Sequence, residues 1–350
     1  MLPYLLSWSV FASAGLADTR RIAGSTLLGL GFFLTLLIGL RHEVGGDWFN
    51  YFRYLEHSFG LPLAEVFLED EPGYGLLNWI AANWGGGVYL VNTACALVFA
   101  TGLLRFASAQ PRPWLALTLA FPYLITVVAM GYSRQGVAIG FELLALLELE
   151  RNRLFRFLGW IALASSFHRT VLVLLILPAS TLSGSLRFSQ LIRLALLGGA
   201  GYGLYSAILA PELDVYLQGY VEAGYESQGA LIRVALCLLP ALLFLPNRRR
   251  FQLPPDVQRI WSLIALLAVA AAIGLATVAS STAVDRLALY LIPLQLFVGC
   301  RLPDTRLFGI SPGQWINLLI LFSLAVLLVW LLFATYSRWW LPYRNLLLPF

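Results

Sequence analysis

The residues best suited to chemistry are arginines, carboxylates and a histidine set at the ends of apolar runs. They are Arg41, Asp47, Glu71, Arg134, His168, Arg169, Asp285 and Arg286, with Arg344 near the end of the chain. A guanidinium presents a planar fork of N–H donors matched to phosphate or carboxylate oxygens. Several together would neutralise a departing diphosphate, where negative charge accumulates in the transition state. A carboxylate or imidazole beside them would take the proton of an attacking hydroxyl. Trp48, Tyr51, Tyr74, Asn78, Gln135 and Tyr290 would hold sugar faces and hydroxyls. That is the outfit for moving a sugar from a lipid diphosphate to an alcohol. Diphosphate leaves readily, so no dedicated general acid is needed, unlike the paired carboxylates of most glycosidases.

Each residue also has a plainer reading. Arg41 suits a snorkelling interfacial anchor. Asp47, after two glycines, suits a turn, and Glu71 before Pro72 suits a helix start. Arg134 is placed to pair with Glu142 as a structural bridge. Asp285 and Arg286 suit a local ion pair, and His168 a satisfied buried histidine. Convergence from six parts of the chain is what favours the chemical reading.

The elements that must position these groups follow from composition. Hydrophobic residues fill 59% of the 350 positions and charged ones 12%, about half the charge of a soluble domain. Mean hydropathy is +0.78. Apolar runs of roughly 20 residues match the hydrocarbon thickness, and open sheets are excluded where lipid cannot satisfy their edges. The sequence therefore predicts an all-α integral membrane protein, read as one polytopic domain over 1–350. About twelve spans are expected, near 3–17, 22–40, 88–107, 114–131, 133–150, 154–167, 169–181, 190–210, 229–246, 258–281, 285–301 and 313–336. All 23 basic residues are arginine, and most fall in loops that the positive-inside rule assigns to the cytoplasm. The net charge of +5 is thus a topology signal, and no nucleic-acid partner is expected. The Leu2–Leu16 stretch has no positive n-region before it and reads as an uncleaved first helix.

Two segments, 41–87 and 211–228, are then left outside. The first runs through the acidic cluster Glu69, Asp70 and Glu71 into Pro72, where an interfacial helix should start, and Gly85 to Gly87 should end it. Over 154–181, one long helix competes with two short ones meeting near His168; the topology favours two. Cys95, Cys237 and Cys300 sit in apolar runs as core residues, without a disulfide framework.

Read in order, short motifs carry a resemblance. Arg41-x-x-Val44-Gly45-x-Asp47 with Tyr51, then Glu71-Pro72-Gly73-Tyr74 with Asn78, resembles the EpsG-type, Wzy-like exopolysaccharide polymerases. Arg134-Gln135-Gly136, Phe167-His168-Arg169-Thr170, Arg286-Leu287 with Tyr290, and Pro342-Tyr343-Arg344-Asn345 keep the family order over residues 40–345. Arg169 departs from the small or lysine-like residue more usual there. The resemblance implies polymerisation of undecaprenyl-diphosphate-linked repeat units at the periplasmic face of a bacterial inner membrane, and by analogy a GT-C-like architecture. Donor and acceptor would both be lipid-linked glycans in the membrane, with a chain-length regulator as a further partner.

The expectation is single displacement with inversion. Arg134 and Arg286 hold the diphosphate, with Arg41, Arg344 and Arg169 assisting, and Asp47, Glu71 or His168 is the base, in that order. No cofactor is expected, although Glu69, Asp70 and Glu71 leave a divalent ion open. The rival readings are a flippase for the same lipids, a membrane O-acyltransferase using His168, and a ligase of surface polysaccharide. A flippase needs charges through the whole membrane depth, and Glu142 and Arg193 are few.

Overall fold

The computed structural model describes residues 1–68, 71–181, 229–277 and 281–348, with 195, 198, 199 and 202. The helix expected over 190–210, the acidic loop 211–228, Glu69, Asp70, Arg187 and Arg193 lie outside the described residues. Among those described, every regular element is helical, and Arg41 with Asn345 makes an isolated β-bridge. Among the described residues, three helices are long and apolar enough to cross a membrane: Gly87–Ser108, Pro255–Thr277 and Pro312–Phe333. Shorter apolar helices cover Leu2–Leu16, Gly24–Gly39, Pro113–Ala129, Leu154–Ser165, Arg169–Ser180 and Ala230–Phe244. The chain divides into two compact units.

The first unit comprises Met1–Leu144, Ala162–His168 and Gly299–Phe350. It begins with α1 (Leu2–Leu16), α2 (Gly24–Gly39), α3 (Trp48–Ser58), α4 (Leu63–Val66), α5 (Pro72–Trp84), α6 (Gly87–Ser108) and α7 (Pro113–Ala120). Small residues let its membrane helices approach closely, as packing within lipid demands. A Cβ on Gly39 would sit 2.6 Å from the Thr93 backbone, so α2 lies almost against α6. Gly102 of α6 meets the backbone of Gly140 in α8 (Ser133–Glu150) with no room for a side chain. Past α7 the helix widens to π geometry over Phe121–Ala129, where Pro122 supplies no N–H. Thr126 Oγ1 donates back to the Phe121 carbonyl at 2.9 Å, and the Thr126 carbonyl accepts from Trp340 Nε1 at 2.6 Å.

The break expected near His168 is present: α9 (Leu154–Ser165) stops and a 3₁₀ helix starts at Arg169. Pro72 opens α5 at its first turn, and Gly85, Gly86 and Gly87 all take positive φ where α5 gives way to α6.

The second unit comprises Ala145–Ile161 and Arg169–Val298. Helix Ala230–Phe244 packs along Pro255–Thr277, and Trp261 stacks on Phe297 at 3.9 Å. The span expected over 285–301 is instead broken into Ser281–Ala288, Leu289–Leu291 and Pro293–Gly299, because Pro293 cannot donate the bond that would continue the helix. Cys95, Cys237 and Cys300 are all buried.

Candidate active site

The Glu71-Pro72-Gly73-Tyr74 motif builds the centre of the site, each residue by a different property. Glu71 occupies the N-cap position of α5, and Pro72 fixes the first turn. Gly73 lets that turn press against the end of α9: its N–H donates to the Ser166 carbonyl at 2.8 Å, and an added Cβ would strike Ser166 Oγ and the Phe167 ring. This docking delivers His168 to Glu71, with His168 Nδ1 donating to Glu71 Oε1 at 2.7 Å. Arg134, in the first turn of α8, donates through Nη1 to Glu71 Oε2 at 2.6 Å. One carboxylate thus joins a guanidinium and an imidazole drawn from distant parts of the chain. The Arg134–Glu142 bridge expected from sequence is not formed; both Glu142 oxygens are buried without a partner.

The electrostatics follow from that geometry. Burial alone would raise the Glu71 pKa, but the hydrogen bond from His168 and the charge of Arg134 outweigh it and hold the carboxyl below its ordinary value. Arg134 also lies over aromatic faces, 4.8 Å from the Tyr54 ring centre and 5.7 Å from that of Tyr74, a favourable cation–π arrangement. Its side chain remains 33% exposed, against 12% for Glu71 and 17% for His168. The arginine is held, yet open.

Arg41 is the reverse case. It is fully buried, and all three guanidinium nitrogens donate: Nε to Val44 O at 3.1 Å, Nη1 to Ile38 O at 2.6 Å, and Nη2 to Asn92 Oδ1 at 3.2 Å and Ser133 Oγ at 2.9 Å. Trp48 and Tyr51 pack their rings about 6 Å from it. Tyr51 accepts from the Ser133 N–H at 2.9 Å and donates to Gly131 O at 3.2 Å. Arg41 therefore fixes the residue that precedes Arg134.

The remaining expected residues fall around these two centres or in the second unit. Asp47 occupies the N-cap position of α3 without a side-chain capping bond, and its Oδ1 accepts from Asn50 Nδ2 at 3.3 Å. Trp48, Tyr51, Tyr74 and Asn78 are buried, and Asn78 Nδ2 donates to the Tyr74 carbonyl; Gln135 is buried as well. Arg344 pairs with Glu43 at 2.5 Å on the surface. In the second unit, Tyr290 is buried with its hydroxyl 3.1 Å from Thr170 Oγ1, Arg286 is exposed and Arg169 half-buried. Asp285 gives both oxygens to Arg233, which replaces Arg286 as the partner expected from sequence.

Sequence reasoning missed Tyr54, Asn92, Ser166 and the role of Ser133. Asn92 carried a signal, an amide inside an apolar run. The others carried none beyond their place in amphipathic or turn segments. Among the described residues no three His, Cys, Asp or Glu side chains gather as a metal site.

Helical throughout its described length, rich in apolar helices and with charge gathered at their ends, the chain is a membrane-embedded protein. The sequence profile of the EpsG family matches residues 26–345, and the chain belongs to that family, whose members are Wzy-like polysaccharide polymerases. No curated protein and no solved structure matches it.

Proposed function

We propose that the protein joins undecaprenyl-diphosphate-linked oligosaccharide repeats at the periplasmic face of the inner membrane, by a single inverting displacement. The observation that carries this reading is the Arg134–Glu71–His168 group, with its guanidinium partly open and resting on Tyr54 and Tyr74. With Nδ1–H given to Glu71, the His168 lone pair is on Nε2, the arrangement of a general base oriented by a carboxylate.

The acceptor hydroxyl attacks the anomeric carbon, and its proton passes to His168 Nε2. The bond from that carbon to the diphosphate oxygen breaks, and its electron pair leaves on the diphosphate. Arg134 meets this charge with the N–H groups it does not give to Glu71. As positive charge develops on the imidazole, Glu71 is drawn to it and Arg134 toward the leaving group. His168 is therefore favoured as the base over Asp47, with Glu71 a positioning residue and Arg41 holding the helix end that carries Arg134. Diphosphate contacts by Arg169 and Arg286, in the second unit, are to be tested by their own substitutions.

The purified protein, given a lipid-diphosphate oligosaccharide and no gradient, should produce lipid-linked oligomers with the opposite anomeric configuration. Retention of configuration would discard the single displacement. Movement of the lipid across a bilayer without elongation would favour a flippase instead.

A further inference from the structure

A second polar cluster in the first unit has no part in the chemistry above. His42 Nδ1 lies 2.5 Å from the Tyr89 hydroxyl, and the two rings stack with centres 6.2 Å apart. Trp48 lies 5.9 Å from the His42 ring and 5.8 Å from that of Tyr89. Beside them Glu43 takes a positive φ of 52°, a conformation costly for a residue with a Cβ and a pointer to function where it occurs. Its carboxylate accepts from Arg344 at 2.5 Å and stands 3.9 Å from His42 Nε2. His42, Glu43 and Arg344 are 32%, 40% and 43% exposed. The C-terminal segment is already anchored without this pair: Tyr343 Oη donates to Leu37 O at 2.6 Å, Asn345 Nδ2 to Leu36 O at 3.0 Å, and the His42 N–H to Arg344 O at 3.0 Å.

We propose that His42, Glu43, Tyr89 and Arg344 form the subsite for an uncharged sugar of the acceptor glycan, an inference that rests on the polymerase reading. A polymerase must hold two glycans, and the Glu71 group accounts for a leaving diphosphate and a base. The second cluster has different chemistry. Both clusters pair one guanidinium with one carboxylate, but Glu43 stands as open as Arg344, 40% against 43% exposed, whereas Glu71 is 12% exposed, so an anion reaching Arg344 would meet an open carboxylate as well. Aromatic faces bordered by a carboxylate, a guanidinium, a phenol and an imidazole instead suit a sugar ring, with C–H groups on the rings and hydroxyls on the polar tips. The cluster is also coupled to the reacting group. His42 follows Arg41, whose Nη2 binds Ser133, the residue before Arg134. Arg344 is thereby reassigned from diphosphate to sugar.

The test uses the full chain in lipid nanodiscs and, as probe, lipid-free oligosaccharides from partial acid hydrolysis of the polymer made by the producing strain. Binding of the probe is measured by titration calorimetry, and its use as acceptor by transfer of labelled glycan from the lipid diphosphate. In His42→Ala, Tyr89→Phe and Arg344→Gln, probe Kd and acceptor KM should each rise at least fivefold, with kcat and donor KM within twofold of wild type. Tyr89→Phe removes only a hydroxyl and guards against misfolding. Unchanged Kd and acceptor KM in an active protein would overturn the subsite and leave the polymerase reading intact. A rise in donor KM alone would do the same. Wild type that binds the probe through these residues but elongates no lipid-diphosphate oligosaccharide would instead remove the polymerase reading, and with it the acceptor role.

Discussion

The first unit carries two arginine-centred networks at opposite ends of α6, and they are built on different principles. Asn92, near the start of α6, touches Arg41 and Ser133 beside the Arg134 group, whereas Arg112 follows its end. The helical rise between Asn92 and the end of α6 is about 24 Å, close to a hydrocarbon core. Arg112 is sealed: its side chain is 2% exposed, Nη1 and Nη2 bind both oxygens of Asp304 at 2.6 and 2.9 Å, and Nε makes an ion pair with Asp18 at 2.7 Å. Although burial pushes Asp304 toward its neutral form, the bonds from Arg112 outweigh this and keep its pKa low. Arg134 has one carboxylate, shared with a histidine, two aromatic faces and a third of its surface in the open. A guanidinium enclosed by carboxylates has nothing left for a ligand. One steadied by a shared carboxylate and rings keeps donors for a transient anion. Arginine is common to both; the partner set separates structure from chemistry.

The sharpest way to break this contrast is to remove each arginine. Arg134→Ala should cut polymer formation by about 10²–10³-fold, the usual effect of deleting a charge-stabilising donor, while lowering stability by only about 1 kcal/mol through the lost pair with Glu71. Arg134→Lys should restore little, since a point charge cannot keep both the planar stacking and the forked bonds. Initial rates with purified protein measure this, and full activity in either variant would remove Arg134 from the site. Arg112→Ala should do the reverse. Deleting the centre of a buried charged network should cost about 2 kcal/mol of stability, seen as a lower melting temperature in detergent, while the folded fraction keeps its rate per molecule.

How legible was this contrast in the sequence? Helix positions were, because long apolar runs mark helices in such a chain; the runs expected for α1, α2, α6 and α8 match their helices within about two residues, and of these four α6 is long and apolar enough to cross a membrane. The breaks were legible at His168 and at Gly85–Gly87, but not at Pro293 or in the π turn after Pro122, where tertiary contacts decide whether a proline kinks or ends a helix. Glu71, Arg134 and His168 each stood out, but as separate candidates. That Glu71 joins the other two depends on Gly73 pressing against Ser166, a contact between residues 93 positions apart in sequence. Arg41 shows the converse failure. A charge at a helix end looks alike whether it faces water or protein, and only the folded positions of Asn92 and Ser133 turn it inward. Arg112 read as a topology signal because Asp18 and Asp304 come from two distant parts of the chain.

A smaller effect separates the two roles within the Glu71 group. Glu71→Gln keeps the shape and removes the charge. Because the folded-state pKa is depressed, the carboxylate contributes stability above its ordinary titration range, and that contribution is lost as pH falls through the depressed value. Wild type should therefore exceed Glu71→Gln by about 1 kcal/mol near neutrality, and the two melting curves should converge in acid. The rate of the variant should fall about tenfold, as His168 loses the acceptor that fixes its tautomer. A gap in melting temperature that widened toward acid would contradict the paired carboxylate.

The smallest expected effect is at Tyr74, and it bears most closely on how open the Arg134 side is. The Tyr74 hydroxyl is buried and has no hydrogen-bond partner, while its ring borders Arg134 and meets Tyr54 edge-on at 5.6 Å. Removing an unpartnered buried hydroxyl eliminates a desolvation cost and no bond, so Tyr74→Phe should change stability by under about 0.5 kcal/mol, or raise it. The ring, and with it the cation–π contact, is kept. If Tyr74 serves only as a face for Arg134, rate and KM should both stay within twofold of wild type. If the hydroxyl grips a sugar, as the sequence suggested, KM should rise several-fold with stability unmoved. Steady-state kinetics and a thermal melt of this one variant therefore distinguish a wall that shapes the guanidinium from a residue that reads the substrate.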